Sequence, residues 1–361
     1  MKAWQLSRLG GDLRFVDVPL PEPRPGSVVV RMQMSAVMSY MRRYVAGELP
    51  VYHAPGRPFI PGGNGVGIVH AVGQDVWHLK PGQRVVISSH FVAHENVRDA
   101  AQILIGITAA GAEGYAMQSD WPDGTLAEYA LLPASVLTAA DALAGLDAQR
   151  LALSTRFVVP LGGLLRGRLA AGETVVVSGA TGAYGGAAAL LAVAMGAGRV
   201  VAIGRDAQAL RRVAERGAGR IVPVAVCGDV AQDVEAIRDA AGGHVDLAFD
   251  MVGNARDPNM TLSALRSLGR NGRLVLMGSM AVDFPVPYTE VMLNGWEIIG
   301  QFMYPRDAYR RLFSLAASGV LDFGVLSPVV FGIAQLETAI DRATDAAGLE
   351  CILIDHEERA A

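Results

Sequence analysis

Val175-Val176-Val177-Ser178-Gly179-Ala180-Thr181-Gly182-Ala183-Tyr184-Gly185 decides the fold. The valines read as a buried strand, the glycines as a tight turn, and the following residues as the start of a helix. Glycine recurs at 179, 182 and 185, the G-x-x-G-x-x-G spacing. A tight turn needs glycine where φ is positive. A pyrophosphate needs bare backbone close by, so that amide hydrogens at a helix N-terminus can hold its charge. Glycine at the third position lets helix and strand pack closely. Such turns also serve plain packing, so the flanking segments decide the matter.

Outward from the turn, residues 187–195 form an alanine-rich helical run closed by Gly196 and Gly198. Residues 199–204 read as a second strand, and residues 207–216 as an amphipathic helix with Leu210 and Val213 inward. Residues 246–253 and 272–278 are two more apolar strands, each after a polar helical segment. Strands alternating with helices predict βαβ units and a doubly wound parallel sheet, hence an α/β fold. Ligands on such sheets bind at the carboxyl ends of the strands. The expected cofactor-binding residues therefore include Gly179, Thr181, Gly182, Ala183, Tyr184, Gly204, Arg205, Val252, Gly253, Gly278 and Ser279.

The chain has 361 residues, 51% hydrophobic and 18% charged, which predicts two domains with large cores. A net charge of −4 without a basic stripe argues against nucleic-acid binding. Two cysteines, Cys227 and Cys351, imply no disulfide framework. The start, Met1-Lys2-Ala3-Trp4-Gln5-Leu6, lacks the apolar run of a signal peptide, and no stretch is long and apolar enough to span a membrane. These features predict a cytoplasmic enzyme of small molecules, with neither nucleic acid nor membrane as partner.

The first 150 residues read as β-rich. Strands are expected at 13–18, 28–32, 65–73 and 124–130, residues 80–87 read as a turn leading into a further strand, and residues 19–25 as a proline-rich connector. Residues 140–150 are helix-like and are expected at the passage between domains, and residues 88–124 read as a poorly patterned lobe or loop.

Pro61-Gly62, Gly65-Val66-Gly67-Ile68-Val69, Pro81-Gly82-Gln83-Arg84-Val85, Gly124-Thr125-Leu126-Ala127-Glu128-Tyr129 and the glycine turn occur together. In order and spacing they resemble the medium-chain dehydrogenase/reductase superfamily, which includes zinc alcohol dehydrogenases and quinone reductases. The resemblance implies a GroES-like β-rich catalytic domain at 1–150 and 319–361. It implies a Rossmann cofactor-binding domain at 151–318, with the active site in the cleft between them. Residues 329–331 and 351–354 would supply the last strands of the first domain, and residues 296–300 the last Rossmann strand. A homodimer formed across that edge strand is expected.

In the zinc branch of the family, a cysteine, a His-Glu pair and a second cysteine surround the catalytic ion. At those positions this chain resembles the pattern only in its surroundings. It carries Met38, Gly63-Asn64 and Ser154-Thr155-Arg156, and residues 88–124 contain none of the four cysteines of the structural zinc lobe. No metal is therefore expected. His90, His94 and Glu95 have a spacing that could hold a metal on a helix, but no second ligand cluster accompanies them. Tyr40, two residues after Met38, matches the position of a proton-relaying hydroxyl in the zinc enzymes, and is the expected hydrogen-bond donor to the acceptor oxygen. Asn64 is the second expected catalytic residue, Tyr44 and Tyr52 are alternatives, and Thr155 is placed with the cofactor-binding set. Arg43 reads as a surface ion pair or a phosphate contact.

Rossmann domains that prefer NAD end the second strand on an acid that accepts from the ribose 2′-hydroxyl. Here Gly204 removes the acid and makes room, and Arg205 supplies a cation suited to a 2′-phosphate, so NADP(H) is expected. Asp206 is expected to cap the next helix. The activity expected is zinc-independent, NADPH-dependent hydride transfer to an activated double bond or quinone. The alternatives are a metal-free carbonyl reductase or alcohol dehydrogenase, and a non-catalytic NADPH-binding protein.

Overall fold

The computed structural model describes residues 1–253, 255–346 and 348–357. These fall into two compact units. The first comprises Met1–Thr155, Ser327–Ala346 and residues 351–357, and the second Arg156–Leu326 with residues 348–350.

In the second unit six parallel strands form one sheet, in the order Ile221–Ala225, Arg199–Gly204, Thr174–Ser178, Leu247–Asp250, Arg273–Leu276, Glu297–Gly300. The order runs one way from Thr174–Ser178 and then resumes on its other side at Leu247–Asp250, which makes this junction the switch point of the sheet. Helices pack on the sheet, so the central strands bury both faces and read as unbroken apolar runs. Val176, Val201, Ile203, Ala248 and Leu274 meet Ile237, Leu265 and Trp296 in one core. Asp206 caps Ala207–Glu215, its carboxylate accepting from the backbone of Gln208 and Ala209.

The first unit is built around the long strand Ser27–Ala36. It pairs antiparallel with Gly65–Val72, Tyr129–Pro133 and the end of Glu350–Asp355. Val28, Val30 and Met32 point into a core with Val69, Val85, Ile87 and Ile103.

Several expected elements differ. The strand expected at 124–130 lies further on, at Tyr129–Pro133. The amides of Gly124, Thr125 and Leu126 are taken by the carbonyls of Ile60, Gly62 and Pro61, at 2.7, 3.2 and 3.1 Å, so this stretch folds onto the neighbouring loop and not into the ladder. The helix expected at 140–150 resolves into a 3₁₀ turn, Asp141–Leu143, and the short helix Ala148–Ala152, capped by Asp147. Residues 88–124 are ordered into three short strands, His90–Val92, Gln102–Leu104 and Thr108–Ala109, and the helix Gly111–Asp120. The chain re-enters the first unit at Ser327, later than 319, because Phe323 packs on Phe157 of the second unit with ring centroids 5.8 Å apart.

One buried pair sets an acid limit on the first unit. Ser35 Oγ donates to the Thr125 carbonyl at 2.9 Å and lies 2.8 Å from His356 Nε2. The hydroxyl has one proton to give, so the imidazole must donate from Nε2. Nδ1 is buried with no hydrogen bond among the described residues, and burial pushes the His356 pKa down to about 3 against the pull of the Ala127 backbone. Between that value and the ordinary ~6.5 the unfolded chain binds a proton that the folded one refuses. Acid therefore favours unfolding in this window. Compared with His356→Gln in urea titrations, the wild-type protein should lose about 1.4 kcal/mol of stability per pH unit as pH falls from 6 to 4. A wild-type–variant difference that stays constant with pH would refute this account.

Candidate functional site

At the switch point the backbone is crowded and bare at once. Gly179 has a φ of +70°, and Gly182 opens the helix Ala183–Ala194 with no side-chain cap, leaving the first amides of the helix unclaimed by a side chain. A Cβ on Gly185 would sit 2.1 Å from the Gly179 carbonyl oxygen, and one on Gly278 would sit 2.3 Å from that of Val252. Gly253 and Ser279 form a parallel bridge, and the Ser279 amide donates to the Val252 carbonyl at 3.0 Å. The structure thus gathers Gly179, Thr181, Gly182, Ala183, Gly204, Val252, Gly253, Gly278 and Ser279 along the carboxyl edge of one sheet. Tyr184 is half-buried, with the Arg156 guanidinium 5.5 Å from its ring centroid.

The room expected at Gly204 is not empty. A Cβ there would lie 2.8 Å from Thr181 Cγ2, so the threonine methyl fills the space that an acid's side chain would leave through. Arg205 is exposed and makes no ion pair among the described residues. The return segment also reaches the turn, since a Cβ on Gly348 would sit 2.2 Å from the Thr181 carbonyl oxygen. Thr155 is counted in the first unit, where its buried hydroxyl donates to the Ala152 carbonyl at 2.7 Å.

Asp250, which the sequence reading passed over, ends the strand Leu247–Asp250 beside Ser178. It is buried and accepts from the Thr261 hydroxyl at 2.9 Å, and burial raises its pKa to about 6 against the pull of that bond. Its carboxyl therefore takes up a proton more readily than an exposed aspartate does.

In the first unit, Tyr40 sits just before the short helix Met41–Val45, half-buried, with its ring 5.7 Å from that of Tyr52. Tyr52 also meets Tyr44 edge-on at 5.8 Å. Tyr44 is wholly buried, its hydroxyl has no partner, and burial drives its ionisation far up, so it is a core residue. Arg43 lies 3.7 Å from Glu48, the surface ion pair. Asn64 accepts from the Ser89 backbone at 2.8 Å through Oδ1, which leaves its NH₂ as the available donor.

The residues where the resemblance places zinc ligands do not fit that ion. A Cβ on Gly63 would come within 2.6 Å of Ile107 Cδ1 and 2.7 Å of Ser89 Cβ, so a histidine has no place there. Asn64 offers an amide oxygen already bonded to a backbone N–H, Met38 a neutral thioether, and Ser154 a hydroxyl that donates to the Leu151 carbonyl. Zinc takes thiolate, imidazole and carboxylate. Among the described residues no three His, Cys, Asp or Glu side chains cluster as a metal site. His90 lies on a strand, where its Nε2 pairs with Gln102 Oε1 at 2.8 Å, so the helical spacing with His94 does not arise.

The sequence reading also missed His53 and Gln118, which are joined by two hydrogen bonds across 65 residues. No local spacing could signal that pair. Among the described residues, no helix is long and apolar enough to cross a membrane.

Two family models match the chain: an alcohol dehydrogenase GroES-like domain over residues 24–142 and a zinc-binding dehydrogenase domain over residues 183–318. An alcohol dehydrogenase of Moraxella sp. (strain TAE123) is 31% identical over 320 residues, spanning 88% of this chain and 89% of that one. Among solved structures, an alcohol dehydrogenase from E. coli CFT073 in complex with NADH superposes with a TM-score of 0.81 at 17% identity, over 98% of this chain and 99% of that one. A Sinorhizobium meliloti 1021 protein described as a zinc-binding dehydrogenase and bound to NADP gives a TM-score of 0.77 at 23% identity, over 98% of each chain.

Proposed function

The chain belongs to the medium-chain dehydrogenase/reductase superfamily and is an oxidoreductase, and from that premise we propose zinc-independent, NADPH-dependent reduction of an activated double bond or quinone in a small molecule. The observation that supports the reading is that Met38 and Gly63-Asn64 stand where the zinc branch has its cysteine and His-Glu pair, with Tyr40 and Asn64 as neutral donors.

The second unit suits a nicotinamide dinucleotide. The uncapped start of Ala183–Ala194 and the bare backbone of Gly179 and Gly182 would take the pyrophosphate. Gly253, Gly278 and Ser279 would line the same edge, Tyr184 would cover it, and Thr155 is assigned as a further cofactor contact. Arg205, exposed, without an ion pair among the described residues and next to a glycine where an acid would otherwise stand, would hold a 2′-phosphate. When bound, the reduced cofactor supplies a hydride from the nicotinamide C4. Tyr40 would donate its O–H to the acceptor oxygen, and the Asn64 NH₂ would orient the same group. A quinone or enone spreads incoming charge over several atoms, which one or two neutral hydrogen bonds can hold. A simple ketone gains more from a Lewis acid.

A second reading, a metal-free carbonyl reductase or alcohol dehydrogenase, is favoured by one finding: relatives about 30% identical to this chain are alcohol dehydrogenases. NADPH oxidation with 1,4-benzoquinone, 2-cyclohexenone, benzaldehyde and cyclohexanone separates the two. The leading reading expects turnover with the first two and at least about 100-fold less with cyclohexanone, and Tyr40→Phe should lower kcat about 100-fold. Preference for cyclohexanone would replace it with the second reading, and a Tyr40→Phe enzyme with unchanged kcat would remove Tyr40 from the chemistry.

Arg205→Ala should weaken NADPH binding about ten-fold or more in fluorescence titrations, while leaving NADH binding unchanged. Equal effects on both dinucleotides would rule out the 2′-phosphate assignment.

The edge strand Glu297–Gly300 follows the helix Tyr288–Asn294, where Tyr288, Met292 and Leu293 are 79%, 60% and 66% exposed. An apolar face beside an open sheet edge supports a two-fold homodimer. Light scattering should give about twice the chain mass, and Leu293→Glu should shift it toward the monomer. A monomeric wild-type protein at micromolar concentration would sink this assembly.

A further inference from the structure

His53 lies beside Tyr52, whose ring packs on Tyr40, and it is held from four directions. Gln118 of helix Gly111–Asp120 grips it twice. Its Oε1 faces the ring Nδ1 at 2.7 Å, and its Nε2 donates to the His53 carbonyl at 2.9 Å. The His53 amide donates to Thr108 Oγ1 at 2.9 Å, and the Tyr115 ring stacks on the imidazole at 3.9 Å and 27°. Thr108 follows Ile107, the residue that lies against Gly63 beside Asn64. The histidine is therefore anchored to the surroundings of both expected catalytic residues of this unit.

The clamp fixes a tautomer. A carboxamide has one donor end and one acceptor end. The donor end of Gln118 is committed to a carbonyl, which can only accept. Turning the amide over would set two oxygens against each other. Oε1 must then accept, and Nδ1 must carry the ring proton. The neutral imidazole presents a bare lone pair at Nε2, which has no partner among the described residues. Gln118 is 1% exposed, so a fully buried amide is spent on orienting a half-buried ring. A histidine that only packs needs no chosen tautomer, whereas an acid–base group does.

We propose that His53 is a catalytic acid–base residue of this chain, exchanging a proton through Nε2 with the oxygen of the substrate. The assignment rests on the oxidoreductase reading above. In the reducing direction, the imidazolium gives its Nε2 proton to the acceptor oxygen as hydride from the reduced nicotinamide reaches the acceptor carbon. One C–H and one O–H bond form. The π pair moves to oxygen, through the conjugated system in a quinone or enone. The ring returns to its Nδ1–H form and water restores the Nε2 proton. In the oxidising direction the bare Nε2 takes the hydroxyl proton. Tyr40 holds the oxygen while His53 supplies the proton.

Two measurements test this. Long-range ¹H–¹⁵N spectra of the uniformly labelled wild-type protein above pH 8 read the tautomer without any turnover, and the Nδ1–H form is expected. In steady-state assays with the best of the four acceptors, His53→Ala should lose about 100-fold in kcat while its NADPH dissociation constant stays within two-fold, and added imidazole should restore part of the rate. Gln118→Ala should show a smaller kcat loss and a mixed tautomer. A proton on Nε2 in the wild-type ring, wild-type kcat in His53→Ala, or a loss that imidazole leaves untouched would each overturn the assignment. A wild-type protein that binds NADPH and reduces none of the four acceptors would overturn the functional reading with it. An active wild type with an equally active His53→Ala would remove His53 alone.

Discussion

The contact on which the rest depends is that of the Gly185 backbone with the Gly179 carbonyl, where even a methyl group would sit 2.1 Å from the oxygen. That approach brings the helix Ala183–Ala194 onto the end of the strand Thr174–Ser178. It places the first turn of the helix, with its free amides, at the switch point of the sheet. Other glycines extend the same constraint. Gly348 lies against the Thr181 carbonyl, Gly278 against that of Val252, and Gly204 against the Thr181 methyl. These residues come from separate strand ends and from the return segment; at Gly348 and Gly278 a side chain would push backbone apart, and at Gly204 it would displace the Thr181 methyl. Glycine costs entropy on folding. Spending it here obtains a surface of unobstructed N–H groups that no ordinary side-chain arrangement supplies.

How much of this was legible in the sequence follows from where each residue is buried. The central strands between 174 and 300 are covered on both faces, so runs such as Val175-Val176-Val177 announce themselves, and their carboxyl ends locate the candidate site. The lobe at 88–124 could not be read in the same way. Its strands of two or three residues are too short to show a period, and its helix Gly111–Asp120 buries only Gly114 and Gln118. The stretch from Gly124 has the composition of a strand, but its amides bond to a loop some sixty residues earlier. The room expected at Gly204 failed for a related reason: the residue that fills it, Thr181, belongs to the preceding βα turn. The clamp of Gln118 on His53 is set entirely by tertiary structure, and no pattern along the chain encodes it.

The electrostatic character of the two units follows from the same residues. At the sheet edge the charge is arranged for an anion. The helix start and Arg205 are positive, the second strand ends on Gly204, the Asp206 carboxylate is turned to the amides of Gln208 and Ala209, and burial raises the pKa of Asp250. The first unit is arranged differently. Its polar candidates are the phenol of Tyr40, the amide of Asn64 and the imidazole of His53, and a Cβ on Gly63 would collide with Ile107 and Ser89, which leaves no place for a histidine there. Neutral donors stabilise a growing oxyanion less than a dication does, so each must be aimed well and one must be able to part with its proton. A phenol O–H is a good hydrogen-bond donor, and an imidazole can both give and take a proton. The proposed division of the task between Tyr40 and His53 follows from these two chemistries, and it would place the burden of specificity on acceptors whose charge is already delocalised.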